Sequence, residues 1–252
     1  LNIDYKIKKL NFLTKRNTES YNYSFFIEII DDQKILVTDF YGNFNLVSNI
    51  FNNDKIKPNN VKLIESNLST YQTLDTFLFK DKIFISYISL KDDCKTFKIS
   101  YAKFDTEYLN FTNFYKNEDC RVSFSGGRMQ AYKFKNKEGL IFSLTSAKYN
   151  HPTNEPQDKN SVFGKILFQD FDLSKPIVFS KGHRVNQGLV TVEDVILVTE
   201  HGPKGGDEIN KIEYSENYGW PISSYGVKYG KNIKKPYYEI SHSKLGFKEP
   251  LY

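Results

Sequence analysis

Four times along this 252-residue chain a short apolar run ends in a small hydroxyl or polar side chain. The runs are Ile35-Leu36-Val37-Thr38-Asp39, Ile83-Phe84-Ile85-Ser86-Tyr87, Leu140-Ile141-Phe142-Ser143-Leu144 and Ile196-Leu197-Val198-Thr199-Glu200, with starts 48, 57 and 56 residues apart. Each follows a polar turn: Asp31-Asp32-Gln33-Lys34, Lys80-Asp81-Lys82, Lys135-Asn136-Lys137-Glu138-Gly139 and Glu193-Asp194. Apolar segments flank most of them, as in Phe25-Phe26-Ile27-Glu28-Ile29 before the first and Phe44-Asn45-Leu46-Val47 after it. A continuous apolar run without alternation suits a strand covered on both faces. Strand, tight turn, buried strand, loop and further strand, repeated at roughly 50 residues, is the pattern of a β-propeller blade. Four such units fit the chain.

Composition agrees with an all-β fold. The chain holds 21 Phe and 18 Tyr, residue types that fit pleated sheets. No apolar run approaches the ~18 residues of a membrane span. The formal charge of +5 rests almost wholly on lysine, since the arginines are Arg16, Arg121, Arg128 and Arg184. Base readout and phosphate clamping favour the arginine fork, so the charge describes a solvated surface rather than a nucleic-acid partner. Cys94 and Cys120 lack the spacing of a zinc site. They are expected to close a surface disulfide, which implies an oxidising compartment; two free thiols are the alternative.

Two stretches stand apart from the repeat. One is Gly182-His183-Arg184-Val185-Asn186-Gln187-Gly188-Leu189. The other runs Thr199-Glu200-His201-Gly202-Pro203-Lys204-Gly205-Gly206-Asp207-Glu208-Ile209-Asn210, followed by Asn217-Tyr218-Gly219-Trp220-Pro221. The glycines around Pro203 force a sharp turn at a strand end and expose backbone carbonyls. Carbonyls beside Asp207 and Glu208 are the hard oxygen donors that calcium prefers. Phosphate-loop and nucleophile-elbow patterns are absent.

With Gly126-Gly127-Arg128 and Asn160-Ser161-Val162-Phe163-Gly164-Lys165-Ile166-Leu167 ahead of them, these motifs resemble, in order, the pyrroloquinoline-quinone-dependent soluble sugar dehydrogenases, the glucose/sorbosone dehydrogenase family. The resemblance implies a six-bladed β-propeller of which residues 1–252 hold about four blades, the remainder lying beyond Tyr252. It implies a quinoprotein oxidoreductase that moves hydride from a sugar or related alcohol to calcium-bound pyrroloquinoline quinone (PQQ). Arg184, Asn186, Gln187 and Asp207 would serve the cofactor; Gly202 and Pro203 carbonyls, Glu208 and the Tyr218 carbonyl would serve calcium. A periplasmic or secreted location and an unknown oligomeric state go with it.

Two departures matter. The family's general-base histidine, four residues before the arginine of Gly-Gly-Arg, is Phe124 here. The asparagine after its Gly-His-Arg is Val185, with Asn186 one place later. Phenylalanine accepts no proton, and losing a general base forfeits about 10²–10⁴-fold in rate. His201, at a strand end, is the candidate for a substitute base, against the alternative of a structural histidine. His151 is a further pocket candidate, Arg128 reads as a turn brace and Trp220 as core. The alternative function is a non-catalytic propeller that binds a carbohydrate or protein partner. A propeller lactonase ranks last, because only the Asp207-Glu208 pair supplies neighbouring carboxylates.

Overall fold

The computed structural model describes residues 24–50, 58–121, 123–145, 154–203, 205–225, 244 and 246–251. His151, Lys204 and His242 lie outside the described residues.

All regular structure there is β apart from one short 3-10 turn at Pro58–Asn60. The strands β1 (Phe25–Asp31), β2 (Lys34–Asp39), β3 (Phe44–Ser48) and β4 (Val61–Ser66) form an antiparallel meander. Next come β5 (Gln72–Phe79), β6 (Lys82–Lys91) and β7 (Cys94–Lys103). The two-residue β8 (Tyr108–Leu109) returns to β4 in parallel, and β9 (Thr112–Lys116) completes the second sheet beside β7. A third sheet holds β10 (Gly126–Phe134), β11 (Lys137–Leu144), β12 (Lys165–Asp170) and β13 (Ile177–Lys181). The fourth holds β14 (Asn186–Val192), β15 (Val195–Glu200) and β16 (Glu208–Ile212).

The four apolar runs of the repeat are β2, β6, β11 and β15, each the second strand of its sheet with a hydrogen-bonded neighbour on either side. That position explains their sequence. A strand flanked by strands and covered on both faces tolerates no charged alternation, and the β11 residues Leu140, Ile141, Phe142 and Ser143 are fully buried. The polar turns do what their residues suggest. Asp92 and Asp93 at β6–β7, and Lys135 and Asn136 at β10–β11, all have positive φ. Positive φ at both central positions is the requirement of the type I′ turn, whose twist matches that of a hairpin.

The chain divides into two compact units. Residues 1–90 and 98–117 form the first; residues 91–97 and 118–252 form the second. In the first, Leu36, Phe44, Leu46 and Ile64 pack with Ile83, Ile85, Tyr87 and Ala102, so the first two sheets share one core. In the second, Ile141, Ile166, Phe168 and Phe179 pack with Leu189, Ile196, Val198 and Ile212, so the third and fourth sheets share another. Such cores of large apolar side chains stabilise each unit, at roughly 1.5–3 kcal/mol per buried side chain.

Candidate active-site cleft

The motifs that stand out in the sequence converge within the second unit. Gly182 follows β13 with φ of 79°, and a Cβ there would lie 2.3 Å from Asn217 Oδ1. Only glycine allows that approach, which brings the Gly-His-Arg turn onto the Asn217–Pro221 segment. Gln157 fixes the segment: its Nε2 donates to Asn217 Oδ1 (3.0 Å) and to Trp220 O (2.7 Å), while Asn217 Nδ2 donates back to Gln157 Oε1 (2.8 Å). Gly202 is tight for another reason: a Cβ would sit 2.2 Å from the carbonyl oxygens of Gly205 and Gly206.

Between these turns lies a narrow cleft of about 10 Å³, room for roughly one water. Arg184, Glu200, His201, Gly202, Glu208 and Tyr218 line it, with Gly182, Trp220, Ser223 and Ser224. Behind the cleft runs a buried polar chain. Ser180 Oγ lies 2.7 Å from His183 Nε2, and His183 Nδ1 lies 2.5 Å from Glu200 Oε1. Glu200 also accepts the Arg184 N–H (2.9 Å) and Asn210 Nδ2 (3.1 Å). Asn210 Nδ2 reaches on to Glu208 Oε2 (3.2 Å). The His183 ring stacks on Tyr218, centroids 4.7 Å apart.

Environment sets the two carboxyls apart. Burial alone would raise Glu200, but the attraction of His183 and three donated hydrogen bonds outweigh it and hold the carboxyl below its ordinary value. Glu208 is pushed up to about 8 by burial and then by the charge of Glu200, against hydrogen bonds from Asn210 and the Tyr225 backbone. The two shifts run in opposite directions, so a proton shared by the pair favours Glu208 over Glu200, because two like charges in a dry pocket repel.

The nine site residues expected from the sequence fall into two groups. Arg184, His201, Gly202, Glu208 and Tyr218 line the cleft. The Arg184 guanidinium donates from Nη1 to His201 O (2.7 Å) and lies over the Trp220 ring at 5.2 Å. His201 is exposed, with Nδ1 3.4 Å from Asp207 Oδ2, and Asp207 Oδ1 accepts the Gly202 N–H at 3.0 Å. Asn186, Gln187, Asp207 and Pro203 are not among the lining residues. Pro203 is buried; Gln187 is exposed, and its carbonyl accepts Arg128 Nε at 2.7 Å, the bracing role expected for Arg128. Asn186 is fully buried, and neither its Nδ2 nor its Oδ1 has a hydrogen-bond partner among the described residues.

Three sequence readings need adjustment. Trp220 is buried as expected of a core residue, yet it forms a cleft wall beneath Arg184. Cys94 and Cys120 are free thiols rather than a disulfide. The Lys95–Arg121 bridge sets them diagonally across the two paired segments, where they meet as a hydrogen-bonded thiol pair, and that contact first, with burial behind it, pushes Cys94 up. Glu200 and His183, the centre of the buried chain, are absent from the set that sequence reasoning assigns to the site. The signal that could have found Glu200 is a carboxylate directly after the hydroxyl residue of an apolar strand run, at the place held by Tyr87 and Leu144 in two of its counterparts.

Four successive, largely antiparallel sheets and a motif-built cleft define a β-propeller protein with a buried histidine–carboxylate pair behind its site. The sequence profile of the glucose/sorbosone dehydrogenase family matches residues 21–252, and the chain belongs to that family. The aldose sugar dehydrogenase of Escherichia coli is 27% identical over 166 residues, covering 59% of this chain and 44% of that protein. Quinoprotein glucose dehydrogenase B of Acinetobacter calcoaceticus is 32% identical over 102 residues, 34% of this chain and 21% of that protein. The matched region thus spans less than half the length of these relatives. Among solved structures, the apo form of the soluble aldose sugar dehydrogenase from Escherichia coli matches with a TM-score of 0.74 at 20% identity, covering 92% of this chain and 72% of that one. A PQQ-bound aldose sugar dehydrogenase from Streptomyces coelicolor matches at 0.63 and 20% identity, covering 86% of this chain and 67% of that one. These likenesses carry the fold.

Proposed function

We propose that this chain is the substrate- and cofactor-facing part of a PQQ-dependent oxidoreductase acting on a sugar or related alcohol. The observation that carries the reading is the cleft itself, where five of the nine site residues expected from the sequence and its family resemblance meet around one opening. Bound PQQ would supply a quinone able to accept hydride from a C–H bond. The residues fit an anionic, oxygen-rich cofactor: the Arg184 guanidinium gives a fixed cation, and the orphaned Asn186 amide gives a donor and an acceptor. A buried amide without partners costs about 1–3 kcal/mol, and a polar ligand would relieve it. Gln187 and Asp207 complete the proposed cofactor set.

Calcium would be held by the Glu208 carboxylate with backbone carbonyls at Gly202, Pro203 and Tyr218. No cluster of three or more His, Cys, Asp or Glu side chains placed to hold a metal occurs among the described residues, so carbonyl oxygens would supply most of the ligands. The Glu200–Glu208 pair favours a cation, since repulsion from Glu200 helps keep Glu208 protonated without one.

His201 is the proposed acceptor of the substrate hydroxyl proton. It is exposed at the cleft, and Asp207 lies beside its Nδ1, leaving Nε2 open to substrate. A periplasmic or secreted location accompanies the reading; no helix among the described residues is long and apolar enough to cross a membrane.

A second reading, a propeller that binds without catalysis, is favoured by Phe124. Its ring is 7% exposed and packs 6.0 Å from Phe163 and 6.5 Å from Phe97, so it is built into the core. Titration of the full-length protein with PQQ and Ca²⁺, followed by a panel of aldoses, separates the two. Sugar-dependent reduction of bound quinone supports the dehydrogenase; absence of quinone uptake moves the function to binding alone.

A further inference from the structure

Lys165 opens β12 and is 1% exposed. A lysine ammonium has three N–H donors, and here each has its own acceptor. Nζ donates to Glu155 O (2.7 Å), Pro156 O (2.9 Å) and Phe163 O (3.1 Å). All three carbonyls belong to residues 154–163, in the connection between β11 and β12. A buried cation is tolerated only where its donors are met, so the ammonium and the fold of this loop depend on each other.

The same loop grips the cleft. Pro156 O also accepts the Gly182 N–H at 3.1 Å. The next residue, Gln157, holds Asn217 Oδ1 and the Trp220 carbonyl, and Trp220 N donates to Gly182 O at 3.0 Å. Gly164 lets the two turns close on each other: a Cβ there would lie 2.6 Å from Pro156 and 2.8 Å from His183 O. The wall that carries Arg184 is thus fixed by a segment that Lys165 gathers from behind.

We propose that Lys165 is a positioning residue of the cleft, whose ammonium gathers the Glu155, Pro156 and Phe163 carbonyls and thereby sets Gln157 against the Trp220 wall. The inference deepens the reading of the cleft as the functional site. Its readout needs no ligand, so it can fail separately from the oxidoreductase proposal.

The charge on Lys165 makes the wall sensitive to alkali. Burial first, and then Lys181 opposite it on β13, lower the ammonium from 10.5 to about 8, against attraction from Asp158 and Glu155. Glu155 is itself paired with Arg121 at 2.7 Å, and Leu144, opposite Lys165 on β11, carries no charge. Above about pH 8 the neutral amine has two donors for three carbonyls, and the loop loosens.

Trp220 is the single tryptophan of the 252 residues, so its fluorescence reads the wall directly. In the wild type, acrylamide should quench this buried indole weakly at neutral pH. Quenching should increase, and emission shift to the red, with a midpoint at about pH 8. Lys165→Met, uncharged and of similar volume, should show strong quenching and red emission at every pH. Lys165→Arg keeps the charge and the donors, and should restore weak quenching while removing the alkaline step. Gln157→Leu leaves Lys165 in place but cuts the loop from the wall; it too should expose the indole without a step, and it keeps the test decisive if Lys165→Met does not fold. Glu208 lines the same cleft and also titrates at about 8, so the step should persist in Glu208→Gln. Weak quenching in a folded Lys165→Met or Gln157→Leu protein, a step that survives in Lys165→Arg, or one that vanishes in Glu208→Gln would each overturn the inference.

Discussion

His183 Nδ1 lies 2.5 Å from Glu200 Oε1, with 0% of the histidine side chain and 4% of the carboxylate exposed. A carboxylate only accepts, so the imidazole Nδ1 carries the proton and Nε2 faces Ser180. The pair joins the Gly-His-Arg turn to the end of β15, the two segments that frame the cleft. Its role is to hold them together.

Removing one partner should therefore be costly. His183→Ala is expected to lower stability by about 3 kcal/mol or more, because a buried carboxylate loses a hydrogen-bond donor and a large side chain leaves a cavity. Breaking the surface pair Lys248–Glu213 should cost no more than about 1 kcal/mol. Urea denaturation of both variants makes the comparison. The Glu200 carboxyl is held below its ordinary 4.5, so its contribution is present above that pH and is lost as the pH falls through the lower folded value. The acid limb of the stability curve should consequently flatten in Glu200→Gln.

Asn186 offers a test that separates stability from function. Its amide is fully buried and unbonded among the described residues. Asn186→Leu, nearly the same shape and apolar, should leave stability unchanged or raise it by about 1 kcal/mol. The same substitution should weaken quinone uptake about tenfold if the amide serves the cofactor. A stabilised protein with unaltered uptake would remove Asn186 from the cofactor set.

Much of the scaffold was legible because its signals are local. Lys135 and Asn136 adopt the positive φ of a tight hairpin turn, and the unbroken run from Leu140 to Leu144 marks a strand with neighbours on both sides. The cleft was legible in part, through turn residues such as Gly182 and Gly202 whose close contacts exclude any side chain. The hold of Lys165 on its loop was not, since it depends on three carbonyls brought together by a connection that no local pattern states. Nor was the Glu200–Glu208 division of charge, which arises from burial and mutual repulsion.

Glu28 on β1 predicts a pH dependence of the first unit. Its Oε2 accepts the Leu78 N–H of β5 at 3.0 Å, and burial, with some repulsion from Asp75, raises its pKa from 4.5 to about 7. The folded state thus keeps a proton that the unfolded chain releases between pH 4.5 and 7. Stability from this group is full below 4.5 and falls as the pH rises through about 7. Glu28→Gln should match the wild type near pH ~4 and exceed it by about 1 kcal/mol at pH ~8, allowing for partial exposure. Thermal melts across that range would show whether the two curves diverge; parallel curves would mean that Glu28 ionises freely.

Phe124 is the sharpest point of contact between sequence and chemistry. If it merely occupied the place of a lost base, restoring histidine there would restore proton transfer, about 10²–10⁴-fold in rate. The structure predicts otherwise. The Phe124 ring lies among Phe97 and Phe163, outside the lining of the cleft, and Arg121 stacks on the far partner Phe163 at 4.3 Å. Phe124→His would bury an imidazole among aromatic rings and lower stability by about 1–3 kcal/mol, with no gain in turnover. His201→Gln, by contrast, should reduce any sugar-dependent quinone reduction by about 10² or more while leaving the melting temperature within a few degrees, since the His201 side chain is exposed. Steady-state rates of the two variants beside the wild type test the proposed base: a faster Phe124→His protein would return it to position 124, and an unaffected His201→Gln protein would remove His201 from the proposed chemistry.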